Sequence, residues 1–282
     1  MEPAQDLREL LAWYMEAGAD EAIGEVPVNR YRGPDPVGRP TPTPTPTQPQ
    51  ASIPSPSDSF SSPPALSPSL TSTNNVMKSA RELAAAANDL AALAEALASF
   101  DGCALRDTAT NLVFADGNAD SQVMIIGAAP GADEDRQGRP FVGMDGQLLD
   151  RMLASIGLDR SSSYISNILP WRPPGNRKPT PNEVTVCLPF LRRHIELISP
   201  KILVLVGGTS AQALLGVAHG IPRLRGRWHD YTGVERASEK ASPIPAMPIF
   251  HPAYLLRKPG MKREAWRDLR KIRRRLDDLN EA

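Results

Sequence analysis

Three consecutive acids, Asp133, Glu134 and Asp135, follow a turn of small residues, Gly127-Ala128-Ala129-Pro130-Gly131, and precede a lone aromatic, Phe141, between two glycines. Small residues let a ligand approach the backbone closely, and carboxylates beyond a strand's carboxyl end occupy the place where open α/β sheets bind ligands. The combination reads as a pocket. The three charges alone would read equally as the solvated first turn of a helix. Two further polar residues stand at strand ends. Asn167 carries an amide that donates and accepts at once, and His251 can donate a hydrogen bond from a neutral imidazole at pH 7. Each also has a purely structural reading, Asn167 as a strand-end cap and His251 as a packed histidine, the class to which His194, His219 and His229 are assigned.

The elements that must hold these residues alternate along the chain. Val123–Ile126, Tyr164–Leu169, Ile202–Val206 and Ala246–Phe250 are apolar runs of strand length, the first two ending near the candidate residues. Ala80–Ser99, Gly146–Ile156, Asn182–Ile198, Ser210–Leu215 and a last segment from Lys262 carry helical patterns, with Thr209 as the expected cap of the fourth. Continuous apolar strands alternating with helices predict a mostly parallel sheet covered on both faces.

The 282 residues divide by composition. Residues 33–75 are rich in Pro, Ser and Thr and nearly devoid of apolar side chains, as in TPTPTPTQPQ, and predict a disordered linker. Residues 1–32 are acidic, with Leu7, Leu10, Leu11 and Tyr14 at helical spacing, a possible short helix suited to contact another protein. Residues 76–282 form one domain large enough for a core. The first 75 residues hold four of the 32 basic and nine of the 32 acidic residues, so the remainder is net positive by about five. This favours a polyanionic partner. The basic excess gathers between Arg257 and Arg275, as a solvated helix face or as phosphate contacts. No run is long and apolar enough to span a membrane and no signal-peptide pattern opens the chain, so a cytoplasmic location is expected. Cys103 and Cys187 are too far apart to suggest a metal site by spacing, and no disulfide is expected.

Four motifs in order, GAAPGADED, GRPFVGMDGQLLD, SNILPWRPPGNR and HPAYLLR, give the chain from about Cys103 to the last helix a resemblance to the uracil-DNA glycosylase superfamily, closest to its family 4. The resemblance implies a three-layer α/β/α sandwich with a central mostly parallel sheet. It also implies an activity: deoxyuridine is flipped out of DNA and its N-glycosidic bond hydrolysed, in base excision repair. A flipped base needs a close-fitting pocket, and the resemblance makes Phe141 the stacking platform, with Gly127 and Ala129 beside it. Asn167 is then the reader of uracil, accepting from its imide N–H and donating to the adjacent carbonyl, a pattern cytosine reverses. Glu134 stands where the family excludes the thymine methyl, and His251 is the donor to the uracil O2 as negative charge collects there. Arg172, Asn176 and Arg177 form a basic loop suited to the DNA backbone. Tyr254 and Leu255, with Leu256, are candidates to wedge into the base stack, and Arg257 to hold phosphate. Leu255 and Leu256 equally suit the buried face of a helix.

Two positions depart from the family. Ala128 replaces a glutamate that positions the attacking water, leaving Asp133, Glu134 or a backbone carbonyl for that task. The family's [4Fe–4S] cluster is held by four cysteines, of which Cys103 and Cys187 are present while Phe100 and Trp171 occupy the other two positions. Neither ring can replace a thiolate, so no metal or cofactor is expected. The protein is expected to act as a monomer on uracil-containing DNA. Two other readings stand beside this one: a damaged-DNA binder of the same fold with weak excision, and a metal-dependent phosphoesterase using Asp133, Glu134, Asp135 and His251.

Overall fold

The computed structural model describes residues 70–233 and 243–281, with side chains from residue 74 onward. The segment 1–32 and the Pro/Ser/Thr-rich stretch up to residue 69 lie outside the described residues. Residues 70–75, read as the linker's end, are instead the first turns of helix α1 (Leu70–Ala86). The single helix expected over Ala80–Ser99 is two, because Asp89 accepts from the Ala92 backbone N–H at 2.8 Å and starts a new helix, α2 (Leu90–Ser99).

Six strands form one sheet in the order β1-β3-β2-β4-β6-β5: β1 (Ala115–Gly117), β2 (Val123–Gly127), β3 (Tyr164–Asn167), β4 (Ile202–Val206), β5 (His229–Tyr231) and β6 (Ile244–Ile249). The four central strands are parallel, as expected. The short antiparallel edges β1 and β5 carry polar residues and gave no apolar signal. Every residue of β2 and β4 is buried, and alternation explains why. Met124, Ile126, Leu203 and Leu205 enter a core under α1, α2 and α6 (Pro181–Ile198), whereas Val123, Ile125, Val204 and Val206 enter one under α5 (Met144–Ala154) and α10 (Lys262–Glu281). At about 1.5–3 kcal/mol per fully buried aliphatic side chain, these two layers supply the driving force for the fold.

His194 lies inside the first core, its ring stacked on Phe114 at 4.4 Å and its Nε2 hydrogen-bonded to the Tyr164 hydroxyl at 2.8 Å. Burial pushes its pKa down to about 3. It is structural, as assigned. Phe100 packs on Phe190 with ring centroids 5.1 Å apart, in the same core as Trp171, Cys103 and Cys187. The two thiols share a hydrogen bond, which lowers the Cys103 pKa and, with burial, raises that of Cys187. Phe100 and Trp171, which the resemblance sets at the two other ligand positions, are buried aromatic rings in this packed core, and neither carries a thiolate to hold an iron.

Candidate functional site

Between β2 and β4 the chain reverses its direction of strand addition, and a crevice opens there at the carboxyl ends of the parallel strands. A cavity of about 360 Å³ occupies it, lined among others by Ala128, Ala129, Glu134, Phe141, Asp145, Asn167, Gly207 and His251. Five of these, Ala129, Glu134, Phe141, Asn167 and His251, are site candidates singled out in sequence, the first and last of them more than a hundred positions apart.

The strand register brings Asn167 beside Gly127. A Cβ on Gly127 would lie 2.2 Å from Asn167 Oδ1 and 2.6 Å from Phe141 Cζ, so the glycine is what admits the amide and the ring side by side. Asn167 is only 6% exposed, yet its amide makes no hydrogen bond to the described residues, and no side-chain polar atom among them is sealed off without a partner. A buried amide of this kind keeps its donors and acceptor for the cavity.

Phe141 adopts a left-handed backbone conformation, φ 54°, which costs a non-glycine residue of order 1–3 kcal/mol unless the surroundings enforce it. Two groups enforce it. Arg160, paired with Asp116 at 2.5 Å and Asp150 at 3.0 Å, donates to the Pro140 carbonyl at 3.1 Å and to that of Phe141. From the other side Glu134 Oε1 accepts from Val142 N and Gly143 N, both at 2.9 Å, while Oε2 accepts from Gly131 N at 3.0 Å. Both Glu134 oxygens are thereby engaged in fixing the turn and the Phe141 loop. Asp135 is likewise engaged, accepting from Thr110 N and Asn111 N. Asp133 does not line the cavity and pairs with Arg136 at the surface. Adjacent residues at the start of α4 (Ala132–Gln137) thus diverge, and the acidic cluster does not converge on the cavity.

His251 is the N-cap of α9 (Pro252–Arg257), and its Nδ1 accepts from Ala253 N at 3.2 Å. An accepting Nδ1 places the proton of the neutral ring on Nε2, free to donate. Burial lowers the His251 pKa below the usual histidine value, and Arg257 lowers it too, against the opposing fields of Asp145 and Glu134. The ring lies 5.8 Å from that of Phe141, centroid to centroid. Gly207, φ 94°, is the N-cap of α7 (Gly208–Leu215); a Cβ there would lie 3.4 Å from His251 Cβ. Thr209 therefore lies inside the helix and faces the cavity, where a cap was expected.

Asn176, Arg177 and Lys178 line the cavity, beside a loop stiffened by the Arg172 Nε to Asn176 Oδ1 bond of 2.7 Å and by the Arg177–Glu183 pair. Tyr254 is half-buried, 5.0 Å from Phe250, and Arg257 is exposed. Leu255 corrects the expectation of a wedge. It is 1% exposed in the core under α10, while Leu256 on the outer side of α9 is 37% exposed. The helix that starts at Pro252 turns Leu255 inward and Leu256 outward, so the alternative of a buried helix face holds for Leu255 alone, and on a helix that precedes the last one.

Sequence reasoning missed Asp145. It lies in the first turn of α5, where an acid is ordinary, yet it lines the cavity. Its Oδ1 accepts from Gly146 N at 3.0 Å and its Oδ2 has no partner among the described residues. Arg160 was missed as well, since nothing in its own segment marks a residue that acts on a loop 20 positions away.

A mostly parallel α/β sheet with a small cavity at its switch point, furnished with a ring, an unpaired amide and a donor imidazole, has the make-up of a small-ligand site. The profile of the uracil DNA glycosylase superfamily matches residues 114–270, more than half of the chain, and the chain belongs to that superfamily. It is 41% identical over 174 residues to the type-4 uracil-DNA glycosylase of Archaeoglobus fulgidus, covering 60% of this chain and 84% of that protein. With the type-4 enzyme of Thermotoga maritima it shares 39% identity over 156 residues, 55% of this chain and 77% of the relative. A type-5 uracil-DNA glycosylase of Pyrobaculum aerophilum is 31% identical over 116 residues, 36% of this chain and 51% of that protein.

Proposed function

We infer that this chain is a uracil-DNA glycosylase of DNA repair, hydrolysing the N-glycosidic bond of deoxyuridine flipped into the cavity. The observation that carries the reading is the unpaired Asn167 amide beside the Phe141 ring, held there by Gly127. Phe141 stacks the base, which offers affinity with little choice. Asn167 chooses: its oxygen accepts from the imide N–H and its amino group donates to the neighbouring carbonyl. His251 Nε2–H stabilises the charge that collects on O2 as the bond breaks. Asn176, Arg177 and Lys178 at the cavity, with Arg257, meet the backbone. Incubation with a uracil-containing oligonucleotide followed by alkali is expected to cleave the strand at the uracil, in the presence of EDTA as well as without it. An intact strand would leave the binding-protein reading, and EDTA sensitivity the phosphoesterase. The latter is disfavoured because no three His, Cys, Asp or Glu side chains among the described residues are grouped to hold a cation.

The attacking water falls to Asp145. Ala128 has no polar side chain and its carbonyl already accepts from Leu169 N at 3.0 Å, and Glu134 is tied to the backbone on both oxygens, so Asp145, whose Oδ2 has no partner among the described residues, is the carboxylate lining the cavity with an oxygen to spare. With an oxocarbenium-like sugar the water needs placing more than activating. Asp145→Asn is expected to slow single-turnover excision about tenfold, or about 1.4 kcal/mol of barrier. Ala128→Glu alone sets a second carboxylate against Asp145 and is expected to slow the reaction. In the Asp145→Asn background the same change is expected to restore it. An unchanged rate in Asp145→Asn, or a faster Ala128→Glu single variant, would refute this assignment.

No step involves a cluster. Protein purified without air is expected to contain no stoichiometric iron and to lack the broad visible absorbance of iron–sulfur proteins, and about four irons per chain would contradict that.

A further inference from the structure

A second concavity lies away from the catalytic cavity and shares no lining residue with it. It is a groove of about 1240 Å³ with α10 as one wall and the segment from α8 (Ile221–Leu224) to His229 as the other. Eight arginine and lysine side chains line it against three carboxylates, Glu264, Asp268 and Asp277. Those carboxylates are already spent within the fold. Arg225 pairs with Asp268, which is almost fully buried, and with Glu264 at 3.2 Å, and Arg273 pairs with Asp277. Lys271 donates to the Gly226 carbonyl at 2.6 Å, joining one wall to the other.

What remains is uncompensated. Arg223 and Arg227 on one wall and Arg270 and Arg274 on the other have no acidic partner among the described residues. Like charges facing one another across a concavity are destabilising in the free protein and produce a field that an anion relieves. A solvated helix face would not need basic residues on the opposite wall. The same groove is lined by Trp266, which is 44% exposed. Guanidinium groups spaced along some 20 Å of helix, Glu264 to Asp277, with an indole face open beside them, match the requirements of a single nucleic-acid strand: charge for the phosphates and a platform for a base. An acidic peptide would use the charge but leave the indole unexplained.

We propose that this groove is a second, sequence-tolerant binding site for a single DNA strand, separate from the cavity that takes the flipped base. It would hold a strand without placing any base near Asn167 or His251.

The full chain is titrated with a fluorescein-labelled oligothymidylate lacking uracil, following anisotropy and tryptophan emission across a salt series. Emission is expected to quench on binding. Trp266→Phe is expected to remove most of the quenching, and Arg270→Gln/Arg274→Gln to weaken binding at least tenfold. Two lost phosphate contacts are expected to reduce the slope of log affinity against log salt by about 1.4. Excision from a uracil-containing trinucleotide, too short to reach the groove, is expected to be unchanged in both variants. Unaltered affinity and salt slope in the arginine double variant, or quenching that survives in Trp266→Phe, would overturn the proposal. So would equally tight binding of a poly-glutamate peptide of the same charge, which would make the groove a site for acidic protein.

Discussion

Asn167→Ala is expected to abolish most uracil excision while leaving the affinity for undamaged DNA nearly intact. The side chain contributes two directed hydrogen bonds to a base sealed from water, and its removal leaves the imide N–H and a carbonyl of uracil without partners. A buried polar group left unsatisfied costs about 1–3 kcal/mol, and two of them together, at about 3 kcal/mol, slow single-turnover excision roughly 150-fold. The main-chain positions of Gly127 and Phe141 do not depend on the amide, so the cavity persists in the variant. Because Asn167 reads a base and no phosphate, duplex affinity measured on undamaged DNA is expected to change less than twofold. Equal losses in both measurements would mean that the substitution collapses the cavity and that Asn167 is a structural strand end.

His251→Ala is expected to slow the chemical step by about a hundred- to a thousandfold, the cost of one donor aimed at a developing oxyanion, about 2.7–4 kcal/mol. His251→Gln, which retains an N–H donor, is expected to recover part of that loss. The pH dependence distinguishes the neutral donor from a cationic one. Burial holds the folded His251 pKa below the ordinary value, so the ring is neutral at pH 7 and stays neutral above it. The single-turnover rate is therefore expected to be level as pH rises from 7 and not to fall through the usual histidine range. A decline between pH 6 and 7.5 that disappears in His251→Gln would show that the imidazolium is the active form. The same shift has a sign for stability. The unfolded chain binds a proton near pH 6.5, which the folded chain resists at both His251 and His194, so these groups favour the fold above that pH. Their contribution is lost as pH falls toward the folded values.

Most of the site was legible in sequence because its residues stand next to strong signals. Asn167 lies within one run of strand length and His251 directly after another, and Phe141 lies in a glycine-flanked loop. What remained illegible depends on contacts across the chain. Asp133, Glu134 and Asp135 look alike in sequence, and their fates differ because consecutive side chains on a helical turn diverge. Glu134 meets the loop at Val142 and Gly143, Asp135 meets Thr110, and Asp133 meets solvent and Arg136. Asp145 reaches the cavity because α5 begins at its edge, a fact that helical periodicity does not contain. The edge strands β1 and β5 escaped notice because they are three residues long and polar. Leu255 turned inward because Pro252–Arg257 is a helix, one side of which faces the core.

The most direct measurement is release of free base from three oligonucleotides identical except for uracil, cytosine or thymine at one position, under single turnover with excess protein. The cavity described here predicts free uracil in stoichiometric amount, with cytosine and thymine released at least a hundredfold more slowly, and the preference for uracil over cytosine lost in Asn167→Ala. Release of no base from any strand, or of all three at similar rates with wild-type protein, would contradict it.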